Sequence, residues 1–310
     1  MMKRIKVVKS TISILLLFFI SVVATAQEKG KPIIDMHLHA YESIFSKTLI
    51  QMPHSEQQVE TKIKDISELL PQTVEEMKNN NVVLGVLTAE NIDLLYSWKE
   101  YDQRFMLGAI VSEPKDVDIK KVTDGLNKGK LEIMGEIASQ YKGYAIDDEA
   151  LEPFYDLAEK YDVPVLVHCA GIGGGENFPI TKGHPILASN VIQKHPKLRL
   201  YIENAGFPFM EEIISLMYCY PNVYADLSTI TWLIPQKAFH NYLQGLIDAG
   251  LGNRLMFGSD QMIWPETIPM AIEAIESADF LSEQQKRDIF YNNAARFLRL
   301  DEATIKKHHE

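Results

Sequence analysis

The feature that most constrains the fold is a regular alternation between short apolar runs and segments with helical spacing. From Pro32 onward the runs are rich in Val, Ile and Leu on both faces, as expected of parallel strands covered by helices. The predicted strands are 33–39, 82–88, 105–110, 131–137, 163–169, 198–204, 223–226 and 255–259. Helical spacing is clearest over 151–161, 186–195, 209–218 and 236–249. Eight strands alternating with helices predict a closed (β/α)8 barrel of the TIM type.

A doubly wound open sheet is the alternative fold. Such a sheet more naturally has five or six strands and a glycine fingerprint directly after the first strand. The glycines within 171–175 follow the fifth strand instead and lack the fingerprint spacing. The sequence therefore favours the barrel, formed by a single domain over 27–310, which is within the usual size of this fold.

The first 26 residues have the three-part layout of a secretory signal peptide. The first nine carry four basic residues and no acidic residue, 12–23 are nearly all apolar, and Ala24-Thr25-Ala26 provides the small residues that a signal peptidase reads. The apolar stretch is short for a bilayer span, which needs roughly 20 residues, so a retained anchor is the weaker interpretation. We predict cleavage before Gln27 and an exported protein, periplasmic or secreted.

Charge excludes one class of partner. The formal net charge is −11, and removal of the four basic residues in 1–26 takes it to −15. A nucleic-acid footprint needs clustered Lys and Arg, which this chain lacks. We expect a small-molecule substrate, no stable membrane anchor and no nucleic acid; homo-oligomer formation stays open. Cys169 and Cys219 are predicted to be free and buried, with a disulfide as the alternative.

The strongest chemical signal is Asp35-Met36-His37-Leu38-His39 at the end of the first strand. Residues two apart on a strand point to the same face, so His37 and His39 project together at the barrel end where active sites lie. Neutral imidazoles side by side can bind zinc or a similar divalent ion. His168 ends the fifth strand and Asp260 follows the eighth. A packing or helix-capping role is plausible for each alone, but together they predict a metal centre.

These segments resemble the amidohydrolase superfamily, and within it the amidohydrolase-related branch of metal-dependent TIM-barrel hydrolases and decarboxylases. The matching segments are Asp35-Met36-His37-Leu38-His39, Met134-Gly135-Glu136-Ile137, Val167-His168, Met256-Phe257-Gly258-Ser259-Asp260 and the tail 291–297. The resemblance covers 33–300. It implies that His37, His39, His168 and Asp260 bind one divalent metal ion, expected to be zinc, and that Asp260 also transfers the proton.

Two strand ends depart from the family pattern. Glu136 stands on strand four, where many two-metal members have a carboxylated lysine. It is expected to be a metal ligand or catalytic base, or to fix an imidazole; a carboxylate bonded to backbone groups is the alternative. On strand six, Asn204 takes the place of the histidine in the family's His-Ala-Gly. Strand alternation is expected to turn Glu203 away from the face of Asn204 unless a bulge re-aims it. Glu203 then does not replace the missing histidine, and the loss of that histidine argues against a two-metal site.

The candidate substrate-binding residues are Asn204 at the end of strand six and, on the loops beyond the strands, His184, Tyr141 and Trp264; for His184 a local loop contact is the alternative. The long polar segment 40–60 is expected to form a lid or pocket wall. The predicted activity is hydrolysis of an ester, lactone or amide bond of a small molecule through a metal-activated water. A non-oxidative decarboxylase and a non-catalytic ligand-binding barrel stay open as alternatives, because fold alone does not decide function.

Overall fold

A computed structural model describes residues 30–44, 61–173 and 178–310. Within them, eight parallel strands pair in sequence order. The strands are β1 Ile33–His39, β2 Val82–Ala89, β3 Phe105–Ala109, β4 Ile133–Ile137, β5 Val165–Val167, β6 Leu200–Ile202, β7 Val223–Asp226 and β8 Leu255–Met256. The Met36 amide on β1 donates to Phe257 O just after β8, at 2.9 Å, which brings the two edges together. The predicted barrel is confirmed.

Helices follow the strands, and most of them cover the outside of the barrel. They are α1 Leu69–Asn79, α2 Ile92–Tyr101, α3 Ile119–Asn127, α4 Glu152–Tyr161, α5 Ala188–Lys194, α6 Met210–Cys219, α7 Ile230–Leu233, α8 Gln236–Asp248, α9 Thr267–Glu276, α10 Glu283–Arg287, α11 Asn293–Leu298 and α12 Glu302–His308. The four segments with the clearest helical spacing correspond to α4, α5, α6 and α8. No helix in the described ranges is long and apolar enough to cross a membrane.

The apolar core has two parts. The larger cluster lies between the strands and the helices that cover them. The smaller cluster joins side chains from six strands, among them Met36 of β1, Leu166 of β5 and Met256 of β8, with residues of α11. Strands on opposite sides of a barrel can meet only in its interior, so this cluster fills the middle of the barrel.

Buried polar side chains gather where the strands end, above the filled interior. They are His37, His39, Glu136, His168, Glu203, Asp226 and Asp260. Because parallel strands point the same way, these carboxyl ends share one face of the barrel. The fold therefore places the predicted site residues at one end of the molecule.

Both cysteines are free, and their surroundings differ. Cys169, just after β5, is buried, whereas Cys219, at the end of α6, is exposed. The prediction that both thiols are buried is wrong for Cys219, because it lies on the solvent side of its helix. The predicted signal peptide, 1–26, lies outside the described residues.

Candidate metal centre

Three side chains from the first and last strands converge on one point. His37 and His39 lie on β1, and Asp260 follows β8. The Nε2 atoms of the histidines are 3.1 Å apart, and Asp260 Oδ1 is 3.0 Å from His39 Nε2 and 4.0 Å from His37 Nε2. All three side chains are buried. One ligand atom from each lies within 4.8 Å of the other two, a spacing that one metal ion can bridge.

The contacts of the Nδ1 atom of each histidine indicate that the lone pair is on Nε2. Thr88 Oγ1 donates to Leu38 O at 3.3 Å, so it is free to accept from His39 Nδ1, 3.0 Å away. His37 Nδ1 lies 3.4 Å from Asp226 Oδ2, which favours a hydrogen on that nitrogen too. Both Nε2 atoms then direct lone pairs toward one point. Two lone pairs at 3.1 Å repel each other unless a cation lies between them.

Asp260 has the environment of a metal ligand. Its Oδ2 accepts from Thr229 Oγ1, whereas Oδ1 makes no hydrogen bond to any described residue although His39 Nε2 is 3.0 Å away. A buried carboxylate oxygen without a partner is costly. Two imidazoles and one carboxylate are a donor set that proteins use for catalytic zinc. These residues fit a divalent metal ion.

Glu136 and His168 lie beside these three groups. Glu136 Oε2 is 3.8 Å from His37 Nε2 and 3.6 Å from His39 Nε2, and its Oε1 is 3.3 Å from His168 Nδ1. His168, the predicted fourth ligand, bonds through Nδ1 to Glu203 Oε2 at 2.7 Å, while its buried Nε2 has no described partner. Among the described residues, His168 is outside both groups of ligand atoms that lie within 4.8 Å of one another.

The expectation that Glu203 points away from the site is wrong. β6 ends at Ile202, and Glu203–Gly206 form a 3₁₀ turn in which Asn204 (φ 56°) and Ala205 (φ 44°) have left-handed backbone conformations. Strand alternation stops where the strand stops, so both Glu203 and Asn204 face the cavity. Asn204 Nδ2 donates to Glu203 Oε1 at 2.9 Å. Glu203 also joins His37 and Glu136 in a second group of ligand atoms within 4.8 Å.

The buried carboxylates change the proton affinity of their neighbours. Burial and the nearby Glu136 raise the pKa of Glu203 to about 8. Burial lowers the pKa of His168, but Glu203 and Glu136 outweigh it and raise that pKa to about 10. Asp260 and Glu203 likewise raise the pKa of His37 against the effect of its burial. These raised pKa values reflect an excess of buried carboxylates over cations, which a divalent cation would correct.

A cavity of about 570 Å³ lies over this centre. Its volume suits a small molecule. The predicted substrate-binding residues Asn204, Tyr141 and Trp264 line it, and so does Tyr41 from the start of the segment expected to form a lid or wall. The remainder of that segment, 45–60, lies outside the described residues.

His184 is not among the described residues that line the cavity, and its described contacts are those of the alternative, a local loop contact. Its ring lies 4.6 Å, centroid to centroid, from that of Phe209, and its Nε2 is 3.7 Å from Glu212 Oε1. Phe209 directly precedes α6 and Glu212 lies in its first turn. His184 therefore contacts the start of α6.

Three residues without a predicted role hold the site residues in position: Asp35, Asp226 and Thr229. Asp226 Oδ1 accepts from the amides of Asn204 and Ser228, each at 3.2 Å, while its Oδ2 faces His37. Asp35 Oδ1 accepts from the amides of His37 at 3.0 Å and Ser259 at 2.9 Å, which joins β1 to the segment after β8. The position of Asp226 at the end of the predicted seventh strand is the kind of signal that identified Asp260.

Comparison with known proteins agrees with this arrangement. Residues 34–300 match the family model Amidohydro_2, described as amidohydrolase. Protein fluG of Emericella nidulans is 23% identical over 154 residues, 45% of this chain. The match spans only 18% of the length of fluG.

Several solved structures share the barrel. A probable 2-pyrone-4,6-dicarboxylic acid hydrolase from Acinetobacter baumannii, with citric acid bound, is 14% identical with a TM-score of 0.62, covering 86% of this chain and 99% of that one. An amidohydrolase from Burkholderia multivorans with bound zinc is 14% identical with a TM-score of 0.61, covering 87% of this chain and 100% of that one. A dihydroxybenzoic acid decarboxylase from Polaromonas with bound manganese and the inhibitor 2-nitroresorcinol is 15% identical with a TM-score of 0.59, covering 87% of this chain and 98% of that one. Likeness at this identity shows the fold alone.

Proposed function

Because this chain belongs to the amidohydrolase family, an enzyme family that includes both hydrolases and decarboxylases, we propose that it hydrolyses an ester, lactone or amide bond of a small molecule with the help of one divalent metal ion. His37, His39 and Asp260 would hold the ion, with Glu136 at its edge. Two imidazoles and a carboxylate favour zinc. Solved relatives of the fold hold zinc in one case and manganese in another, so elemental analysis decides between them.

The observation that carries this proposal is the position of Asp260. Its Oδ1 has no described hydrogen-bond partner and lies within 4.0 Å of both histidine Nε2 atoms, while Thr229 holds Oδ2. When bound, a divalent ion would lower the pKa of a water molecule and polarise a substrate carbonyl. Asp260 would accept a proton from the attacking water and return it to the leaving group.

The position of Glu203 favours an enzyme over a barrel that only binds its ligand. With Asn204 in place of the family histidine, a barrel that only binds its ligand is the competing interpretation, because an amide cannot act as a general base near neutral pH. The turn after β6 brings the ionisable Glu203 to the same cavity wall, 2.7 Å from His168 Nδ1. A second acid–base group therefore accompanies Asp260 where the histidine is missing.

Parallel assays of the metal-loaded protein test the proposal. Acid release is measured on a panel of small esters, lactones and amides, and CO2 release on hydroxybenzoates. We expect acid release from members of the panel and its loss, by about 10²-fold or more, in Asp260→Asn. CO2 release without acid release would establish the decarboxylase instead, and full acid release by Asp260→Asn would remove Asp260 from the mechanism.

A further inference from the structure

We propose that Gln261 is a positioning residue of the metal centre: through hydrogen bonds to the end of β1, it holds His39 and Asp260 in place for the ion. This inference rests on the metal centre of the proposed function, and it concerns how the ligands are arranged, not the reaction. Gln261 directly follows Asp260, is fully buried and is outside the described lining of the cavity. Its role at the centre is therefore exerted through the ligands.

The carboxamide of Gln261 bonds to both backbone groups of His39. The His39 amide donates to Gln261 Oε1 at 2.8 Å, and Gln261 Nε2 donates to His39 O at 2.6 Å. A neighbouring strand would normally satisfy two such groups, but β8 ends at Met256, before it reaches this level of β1. The side chain thus takes the place of a strand residue. Its loss would leave buried backbone groups of His39 without these partners, which is costly.

The chain bends on both sides of Gln261, which lets its side chain return to β1. Asp260, with φ 47°, and Met262, with φ 43°, both have left-handed conformations, which are uncommon for residues other than glycine. The Asp260 amide donates to His37 O at 2.8 Å. Two successive residues therefore bond to the two histidines of β1, Asp260 through its amide and Gln261 through its side chain.

These bonds fix the position of one ligand relative to another. His39 Nε2 and Asp260 Oδ1 are 3.0 Å apart, and Gln261 is covalently next to Asp260 and hydrogen-bonded to His39. Metal–ligand distances in a good site stay within about 0.2 Å of their usual values, so a shift of the end of β1 relative to Asp260 would weaken binding. Residues that orient metal ligands typically contribute about 10–100-fold to metal affinity. We expect a contribution of this size from Gln261.

Zn²⁺ affinity, measured by competition with a chelator, tests the inference without requiring turnover. Gln261→Met keeps the length of the side chain and removes both bonds to His39. Gln140→Met is the matched control, because Gln140 is also fully buried and its Nε2 donates to Ala170 O at 3.1 Å and Pro179 O at 3.4 Å, on the loop after β5. We expect both variants to lose stability toward urea, but only Gln261→Met to bind Zn²⁺ about 10–100-fold more weakly.

Hydrogen exchange of the His39 amide in the metal-free wild type gives a second test that does not depend on the folding of a variant. We expect this amide to be protected before any ion binds, because it donates to Gln261 Oε1. Unchanged Zn²⁺ affinity in Gln261→Met, an equal loss of affinity in Gln140→Met, or an unprotected His39 amide would each overturn the inference. Absence of Zn²⁺ binding by the wild type would overturn the metal centre as well. Failure of every ester, lactone and amide in the acid-release assay would overturn only the proposed hydrolase, because Zn²⁺ binding does not depend on turnover.

Discussion

The positions of His37 and His39 could be predicted from their spacing on a single strand. Their two-residue spacing requires both side chains to point to one face, and their Nε2 atoms do lie 3.1 Å apart. Asp260 joins them because β8 and β1 meet, with the Asp260 amide donating to His37 O at 2.8 Å. Strand position alone was enough to bring these three residues together.

Strand alternation predicted the direction of the Glu203 side chain wrongly. Alternation predicts the direction of a side chain only while the strand continues, and β6 stops one residue earlier. The left-handed conformations of Asn204 and Ala205 are uncommon for residues other than glycine, so the sequence carried no reason to expect them. For His184 the sequence left two interpretations open, because a loop residue has no periodicity from which the direction of its side chain can be predicted.

At Asn204 we expect a modest catalytic effect from substitution. Asn204→Ala removes the hydrogen bond to Glu203 Oε1 and the long one, 3.4 Å, that Asn204 Oδ1 accepts from Ser228 Oγ, and we expect activity to fall about tenfold or less. Asn204→His tests whether the family architecture survives around this position, and it should then raise metal stoichiometry or activity. Steady-state kinetics of both variants beside Asp260→Asn provide the comparison. A loss in Asn204→Ala equal to that in Asp260→Asn would instead make the Asn204 amide an oxyanion or substrate donor.

At the scale of elements, apolar runs located every strand but overstated several lengths. The predicted strands 131–137, 163–169 and 198–204 are longer than β4, β5 and β6. Residues at the barrel ends are as buried as those in the ladder, so hydrophobicity does not distinguish them. The turn after β6 depends instead on backbone conformation, and Gly206 completes it with φ 65°.

Gly206→Ala should therefore disturb the turn that positions Glu203. An added Cβ would lie 2.5 Å from Ile213 Cγ1 on α6, in addition to the cost of the left-handed backbone. We expect a loss of about 1–3 kcal/mol in the free energy of unfolding, measured with urea, and reduced activity.

Gly250→Ala is the matched control for this variant. Gly250 has φ 78°, but an added Cβ would have no atom within 4 Å. We expect it to cost about 1 kcal/mol, from the backbone alone, and to leave activity intact. Equal losses of stability and activity in the two variants would show that contact with α6 does not matter.

For the whole molecule, the sequence predicted the barrel because the alternation of strands and helices extends over the entire domain.

The predicted signal peptide concerns the processing of the chain and not its fold. We expect exported protein to begin at Gln27, because basic, apolar and Ala-x-Ala stretches precede it in that order. Mass spectrometry of protein recovered from the periplasm or medium measures this terminus. Recovery there of chains that still begin at Met1 would contradict signal cleavage.

The central claim is that His37, His39 and Asp260 hold one divalent metal ion at the carboxyl end of the barrel. Elemental analysis of the purified protein measures it most directly. We expect about one ion per chain in the wild type and in His240→Ala, whose side chain bonds to Ala274 O away from the cavity. His37→Ala combined with His39→Ala removes two of the three ligands and should remove the ion while circular dichroism still shows a folded barrel. A folded double variant that retains one ion per chain would contradict the claim.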